Sequence, residues 1–174
     1  TELESSQIAY ALKALSDNKA GKVLSKVLEK TEFPKDGSGP WLEIIGQAET
    51  QNEIDMVYAK LLENYFNSKG QAQSLKALRA AASQNKVKPS GANLSPLKQY
   101  LQSENANVRK EAIQLAGQWK NIQDAFPILA SIPNAKTSPR EEAILAIQAL
   151  AQIGGSGAFD VLSTVASSDQ AAQV

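Results

Sequence analysis

Few side chains in this sequence could carry out covalent chemistry. The 174 residues include no histidine and no cysteine. That removes the imidazole base, the thiolate nucleophile, soft-metal ligand sets and the Cys-x-x-Cys-His haem attachment. Carboxylate or lysine chemistry remains, as does an oxygen-ligated hard cation. Asp36, beside Gly37-Ser38-Gly39, has a superficial likeness to an anion- or calcium-binding loop. It lacks both the alternating acidic ligands of a calcium loop and the Gly-Lys-Ser/Thr ending of a phosphate loop, and reads as an inter-helix turn. Glu141-Glu142 opens a helix, where negative charge suits the macrodipole without any catalytic role. Trp41 and Trp119 could stack on a base or a sugar. Trp119, however, continues the apolar stripe Val108, Ala112, Leu115, which places it in the core, whereas Trp41 follows Gly39-Pro40 at a helix start and is expected to be half exposed. No catalytic residue, cofactor or metal ligand is expected, and the chain reads as a non-enzyme.

The elements that must position these side chains are helical. Ala, Leu, Gln, Lys and Glu abound, while aromatics make up 6%, as in helices packed through small residues. A helix-pair pattern occurs twice. Arg109-Lys110-Glu111-Ala112-Ile113 aligns with Arg140-Glu141-Glu142-Ala143-Ile144 at an offset of 31, and Ala125-Phe126-Pro127-Ile128-Leu129 aligns with Ala158-Phe159-Asp160-Val161-Leu162 at 33. That period indicates a stacked array in which each unit covers the apolar face of its neighbour. The expected fold is all-α, a right-handed α-solenoid of antiparallel helix pairs with about ten helices in all.

In the first unit Val108, Ala112, Leu115, Ala116 and Trp119 mark one helix, and Phe126, Ile128, Leu129 and Ile132 its partner. In the next, Ser138 should cap, Pro139 should take the first helical position, and Gly154-Gly155 should stop the run. Upstream, Leu97, Tyr100 and Leu101 form a short helix, and Gln73 to Ser83 another, with Leu75, Leu78 and Ala82 inward. Residues 71–174 are therefore read as repeats, cut at the start of a further one because Ser168 to Val174 resumes the Ser103 to Val108 turn. Residues 1–70 form an N-terminal helical region, either divergent repeats or a cap. Its stripes are Ile8, Leu12, Leu15; Val23, Leu24, Val27, Leu28; Trp41, Leu42, Ile45, Ala48; and, after the capping box Thr50 to Glu53, Ile54, Val57, Tyr58, Leu61, Leu62, Tyr65.

Charge narrows the partner. The 18 basic and 18 acidic residues cancel, and they also cancel within residues 1–87 and within residues 88–174, so the basic surplus of a nucleic-acid binder is missing. No apolar run approaches the ~20 residues needed to span a bilayer.

The string Asn107-Val108-Arg109-Lys110-Glu111-Ala112-Ile113-Gln114-Leu115-Ala116-Gly117 and its counterpart Arg140 to Ile153 resemble HEAT repeats, whose first helix carries Val-Arg, then Ala, then Ala-Leu-Gly. Lys86-Val87-Lys88-Pro89-Ser90-Gly91, Leu94-Ser95-Pro96-Leu97 and Ala116-Gly117-Gln118-Trp119-Lys120 together resemble the HEAT segment of planctomycete-type multidomain proteins, which also hold a dehydrogenase-like propeller and a c-type haem module. The resemblance implies an exported or periplasmic parent, and no redox activity for this segment. The expected role is a scaffold that contacts another protein or a neighbouring domain through the outward residues of the second helices: Lys98, Gln99 and Gln102, then Ser131, then Asp160, Ser163 and Thr164. A passive spacer between propeller and haem module is the alternative, followed by a nucleic-acid-binding scaffold. Arg109, Asp124 and Arg140 are expected to form a structural ladder, with Asp124 meeting Arg140.

Overall fold

Short apolar stripes punctuated by turns give eight α-helices and one 3-10 turn, with no strand, among the residues described by the computed structural model: 33–47, 51–90, 96–120, 122, 124–135 and 137–168. The stripes expected over Ile8 to Leu28 lie outside the described residues. The chain divides into two compact units, the first ending at Ala92 and the second starting at Asn93.

In the first unit α1 (Trp41–Gln47), α2 (Gln51–Leu62) and α3 (Ser68–Gln84) follow one another, and α1 packs along α3. The crossing is close because Gly46 has no side chain. A Cβ placed there would stand 3.0 Å from the Ala77 carbonyl oxygen and 3.1 Å from the Ala77 Cα. Ile45, Ile54, Val57, Leu61, Leu75 and Leu78 fill the core between the helices, each contributing about 1.5–3 kcal/mol by leaving water. Trp41 is only 4% exposed, so the half-exposed reading is corrected: it turns inward with Leu42.

Helix α3 starts earlier than its apolar stripe, because Asn67 accepts a hydrogen bond from the Gly70 amide and caps it. It therefore runs through residue 70, where the sequence pattern suggested a boundary. Asn64, at φ 54°, ends the preceding helix. Leu62 is left exposed and Tyr65 falls beyond α2, so neither is the inward helical residue its spacing suggested. Tyr65 instead donates its hydroxyl to the Phe33 carbonyl at 2.6 Å, beneath the Lys60 ammonium at 4.2 Å from its ring centre. After α3, Gln51 donates to the Lys88 carbonyl, the Asn85 amide side chain to the Gln47 carbonyl, and the Ser90 amide to Asp55, tying down the extended segment.

The second unit comprises α4 (Leu97–Leu101), α5 (Ala106–Trp119), α6 (Phe126–Ser131), α7 (Arg140–Ile153) and α8 (Gly155–Ala166), of which α4 and α6 are short. The two 14-residue helices, α5 and α7, pack along each other; α4 and α6 lie against α5 and α7 respectively. Gly117 makes this crossing possible, since a Cβ there would lie 2.9 Å from Ala149 Cα. The same glycine-on-alanine approach therefore occurs in both units. Val108, Ala112, Leu115, Ala116 and Trp119 are all buried, as their spacing required. Pro133, within Ile132–Asn134, continues α6 as a 3-10 turn. The α7 start departs from expectation. Pro139 occupies the cap position without a side-chain bond, and the Ser138 amide donates back to the Ala135 carbonyl at 2.9 Å. Gly154, at φ 70°, ends α7 as its sequence implies.

Candidate functional site

Within the second unit, α5 and α7 are joined by side chains on facing surfaces. Asn105 caps α5 through the Asn107 and Val108 amides, and Arg109, one turn in, sits where its guanidinium reaches in two directions. Its Nη1 donates to the carbonyls of Ser103 and Glu104 at 2.8 and 3.0 Å. Its Nε and Nη2 grip the Glu142 carboxylate of α7 at 3.0 and 2.7 Å. The Glu142 side chain is 6% exposed and that of Arg109 24%. Hydrogen bonding to Glu142 raises the Arg109 pKa above its already high ordinary value. Beside it Lys110 pairs with Glu141, and further along Gln118 donates to Gln152.

Arg109 thus links α5 to α7 through a buried carboxylate. Its partner, Glu142, was not foreseen, although a signal was available: Arg-x-Glu recurs as Arg109-Lys110-Glu111 and Arg140-Glu141-Glu142. Glu141 and Glu142 do open α7, but their charges are committed to α5 and serve more than the helix dipole. Asp124 lies exposed in the turn before α6, and Arg140 is exposed at the first position of α7.

The seven residues expected on the partner face are all exposed: Lys98 and Gln99 on α4, Gln102 at its end, Ser131 at the end of α6, and Asp160, Ser163 and Thr164 on α8. Two are partly occupied locally. The Ser131 hydroxyl donates to the Ile128 carbonyl at 2.7 Å and Thr164 to the Asp160 carbonyl at 2.9 Å.

Trp119, 1% exposed, is core and presents no stacking platform. The Asp36 turn is a built feature of the first unit. Its carboxylate accepts from the Ser38 amide at 2.9 Å and meets Lys69 at 3.0 Å. The Ser38 hydrogen bonds, with Lys69, lower the Asp36 pKa from 3.8 to about 2. Gly70 abuts the Lys35 carbonyl and Asp36 backbone, clamping the turn onto α3. Sequence reasoning gave no hint of a groove of about 500 Å³ beside the α1–α3 crossing, walled by Glu43, Gln47, Gln73, Lys76 and Gln84. Among the described residues no group of three or more His, Cys, Asp or Glu could hold a metal ion, and no helix is long and apolar enough to cross a membrane.

Residues 94–174 match the family model of HEAT repeats. The HEAT-like region so defined covers α4 to α8, and repeats of this family generally serve as protein-interaction scaffolds. No curated protein and no solved structure matches the chain.

Proposed function

We propose that the chain is a non-catalytic interaction scaffold, an α-solenoid of antiparallel helix pairs, whose second helices contact another protein or a neighbouring domain of the same polypeptide. The observation that carries this reading is the regular α5–α7 packing within a HEAT-like segment, because stacked repeats create extended surfaces used for binding. The exposed polar set Lys98, Gln99, Gln102, Ser131, Asp160, Ser163 and Thr164 supports a wet interface of moderate strength. The first unit is read as divergent repeats, supported by the shared glycine-on-alanine crossing. Asp124 and Arg140 are proposed as a second rung of the ladder.

One observation favours the passive spacer as a second reading: the Ser131 and Thr164 hydroxyls are turned onto their own helices. An affinity experiment separates the two. The immobilised chain and a variant carrying Lys98→Glu, Gln99→Ala, Gln102→Ala and Asp160→Lys are exposed to nuclease-treated and untreated extract of the source organism at moderate salt. A protein retained by the chain and released by the variant is the expected outcome. No retention favours the spacer, a protein retained equally by chain and variant refutes the assigned face, and retention that nuclease abolishes favours nucleic-acid binding.

A further inference from the structure

Of the aspartates in the sequence only Asp36 is followed by glycine; the others precede Asn18, Met56, Ala125, Val161 and Gln170. An Asp-Gly dipeptide carries a chemistry of its own. The backbone nitrogen of the following residue can attack the aspartyl Cγ, and a glycine, with no side chain, leaves that approach open. The N–Cγ bond forms as a Cγ–O bond breaks, and the displaced oxygen leaves as water with the amide proton and a carboxyl proton. Water then adds back to the five-membered imide. Opening at Cγ restores aspartate, whereas opening at the former backbone carbonyl leaves the chain running through Cγ, one methylene longer, with the α-carboxylate free. Water leaves and water returns, so no oxidant, reductant or cofactor enters.

Each requirement of that reaction is opposed in the first unit. The nitrogen is engaged, because the Gly37 amide donates to the Pro34 carbonyl at 2.9 Å. Both carboxylate oxygens are engaged as well: Oδ1 accepts from the Ser38 amide at 2.9 Å and Oδ2 from the Lys69 ammonium at 3.0 Å. Those bonds favour the anion, and the reaction needs the neutral carboxyl. The peptide that would be hydrolysed is walled by α3. A Cβ on Gly70 would stand 3.1 Å from the Asp36 carbonyl carbon, and a Cβ on Gly37 would stand 2.8 Å from Gln73 Oε1 and 3.1 Å from Gly70 Cα. A bulkier residue that would slow the attack does not fit at 37, since the φ of 68° and this clearance both demand glycine. The turn thus imposes the labile dipeptide that it restrains.

We infer that the Asp36–Gly37 peptide is an isoaspartyl modification site, kept closed by its seat on α3 and reactive when the first unit releases this turn. The added methylene lengthens a turn that has no slack against Gly70. It also moves the carboxylate away from the Ser38 amide and Lys69, so a modified chain does not reseat. The modification is therefore a one-way record of opening at this turn.

The test ages the full 174-residue chain in warm neutral buffer, folded and unfolded in guanidinium chloride. Mass spectrometry reads the β-linkage at position 36 after digestion with an Asp-specific protease, which cuts before aspartate and not before isoaspartate; Asp55 and Asp124 are the internal references. A carboxyl held at about 2 instead of 3.8 is neutral roughly 60 times less often in that buffer. The Asp36 side chain is 37% exposed, solvent screening reduces that factor, and the folded chain is expected to lag the unfolded one by about tenfold. Lys69→Met, at a side chain 63% exposed, should keep the far-UV spectrum and raise the folded rate about threefold, while Lys69→Arg keeps the native rate. Folded and unfolded rates within about twofold of each other would overturn the inference. So would a Lys69→Met chain that ages no faster than the native one.

Discussion

Removing either end of the Arg109–Glu142 clamp should destabilise the second unit far more than an ordinary surface ion pair would. The guanidinium makes bonds of 2.8 and 3.0 Å to two backbone carbonyls and of 3.0 and 2.7 Å to a carboxylate that is 6% exposed. A fully exposed pair contributes about 0.2–1 kcal/mol, whereas stripping one partner from a buried pair costs about 3–5 kcal/mol because the other charge is stranded. Arg109 keeps 24% of its side chain in water, which places the pair below that upper range. Arg109→Ala is therefore expected to cost about 3 kcal/mol and Glu142→Ala about 2 kcal/mol, since in the second case the guanidinium retains the Ser103 and Glu104 carbonyls and can rotate toward solvent. The double variant should cost less than the sum, with a coupling of about 1–2 kcal/mol. Denaturant unfolding followed by Trp119 fluorescence, in a Trp41→Phe background, reads the second unit alone, because Trp119 is 1% exposed within α5. A coupling below about 0.3 kcal/mol would show that the two side chains act independently, and the ladder reasoning would fail.

Other outcomes follow from the same geometry. Gly117→Ala should destabilise despite the ~1 kcal/mol gain in helix propensity, because its Cβ would lie 2.9 Å from Ala149 Cα, while Gly157→Ala, whose Cβ meets only Phe126 at 3.5 Å, should be neutral or stabilising; denaturant midpoints compare the two directly. Both tryptophans should resist iodide quenching, with exposures of 4% and 1%, and efficient quenching of Trp41 would contradict the inward placement. The Asp36 carboxyl should titrate near pH 2 by NMR. Since its folded pKa lies below the ordinary 3.8, its contribution is present above about pH 4 and fades as pH falls toward 2, and Asp36→Asn should flatten stability across that window. A titration midpoint near 3.8 would show that the Ser38 and Lys69 bonds do not hold in solution.

What was legible in the sequence was what hydrophobic spacing encodes. The α5 stripe ending at Trp119 and the α3 stripe of Leu75, Leu78 and Ala82 both emerged because apolar side chains at helical spacing have one way to leave water. The first turn of α3 carries no such signal: Gly70 is buried for close approach to a carbonyl and not for apolarity, so hydrophobic spacing alone starts the helix later. Periodicity also overran α2, since nothing in Tyr65 itself announces that Asn64 has already broken the helix. The clamp was half legible. Both arginines were visible as repeat positions, but the choice of carboxylate depends on which faces the helices turn to one another, and α7 offers Glu141 and Glu142 side by side. The proposed partner face is the least legible part, because exposed polar residues satisfy water equally well with or without a partner.

The reach of the tertiary links carries one last consequence. Tyr65 to Phe33, Lys69 to Asp36, Ser90 to Asp55, Gln51 to Lys88, Asn85 to Gln47, Lys110 to Glu141, Arg109 to Glu142 and Gln118 to Gln152 join residues 31 to 38 positions apart. Closing such a loop costs the same entropy wherever it occurs, and that cost grows only logarithmically with the span. A chain whose contacts keep this constant stride has a relative contact order that falls as units are added, so lengthening the array need not slow its assembly. Within each unit, folding can start at whichever helix pair forms first and spread one stride at a time.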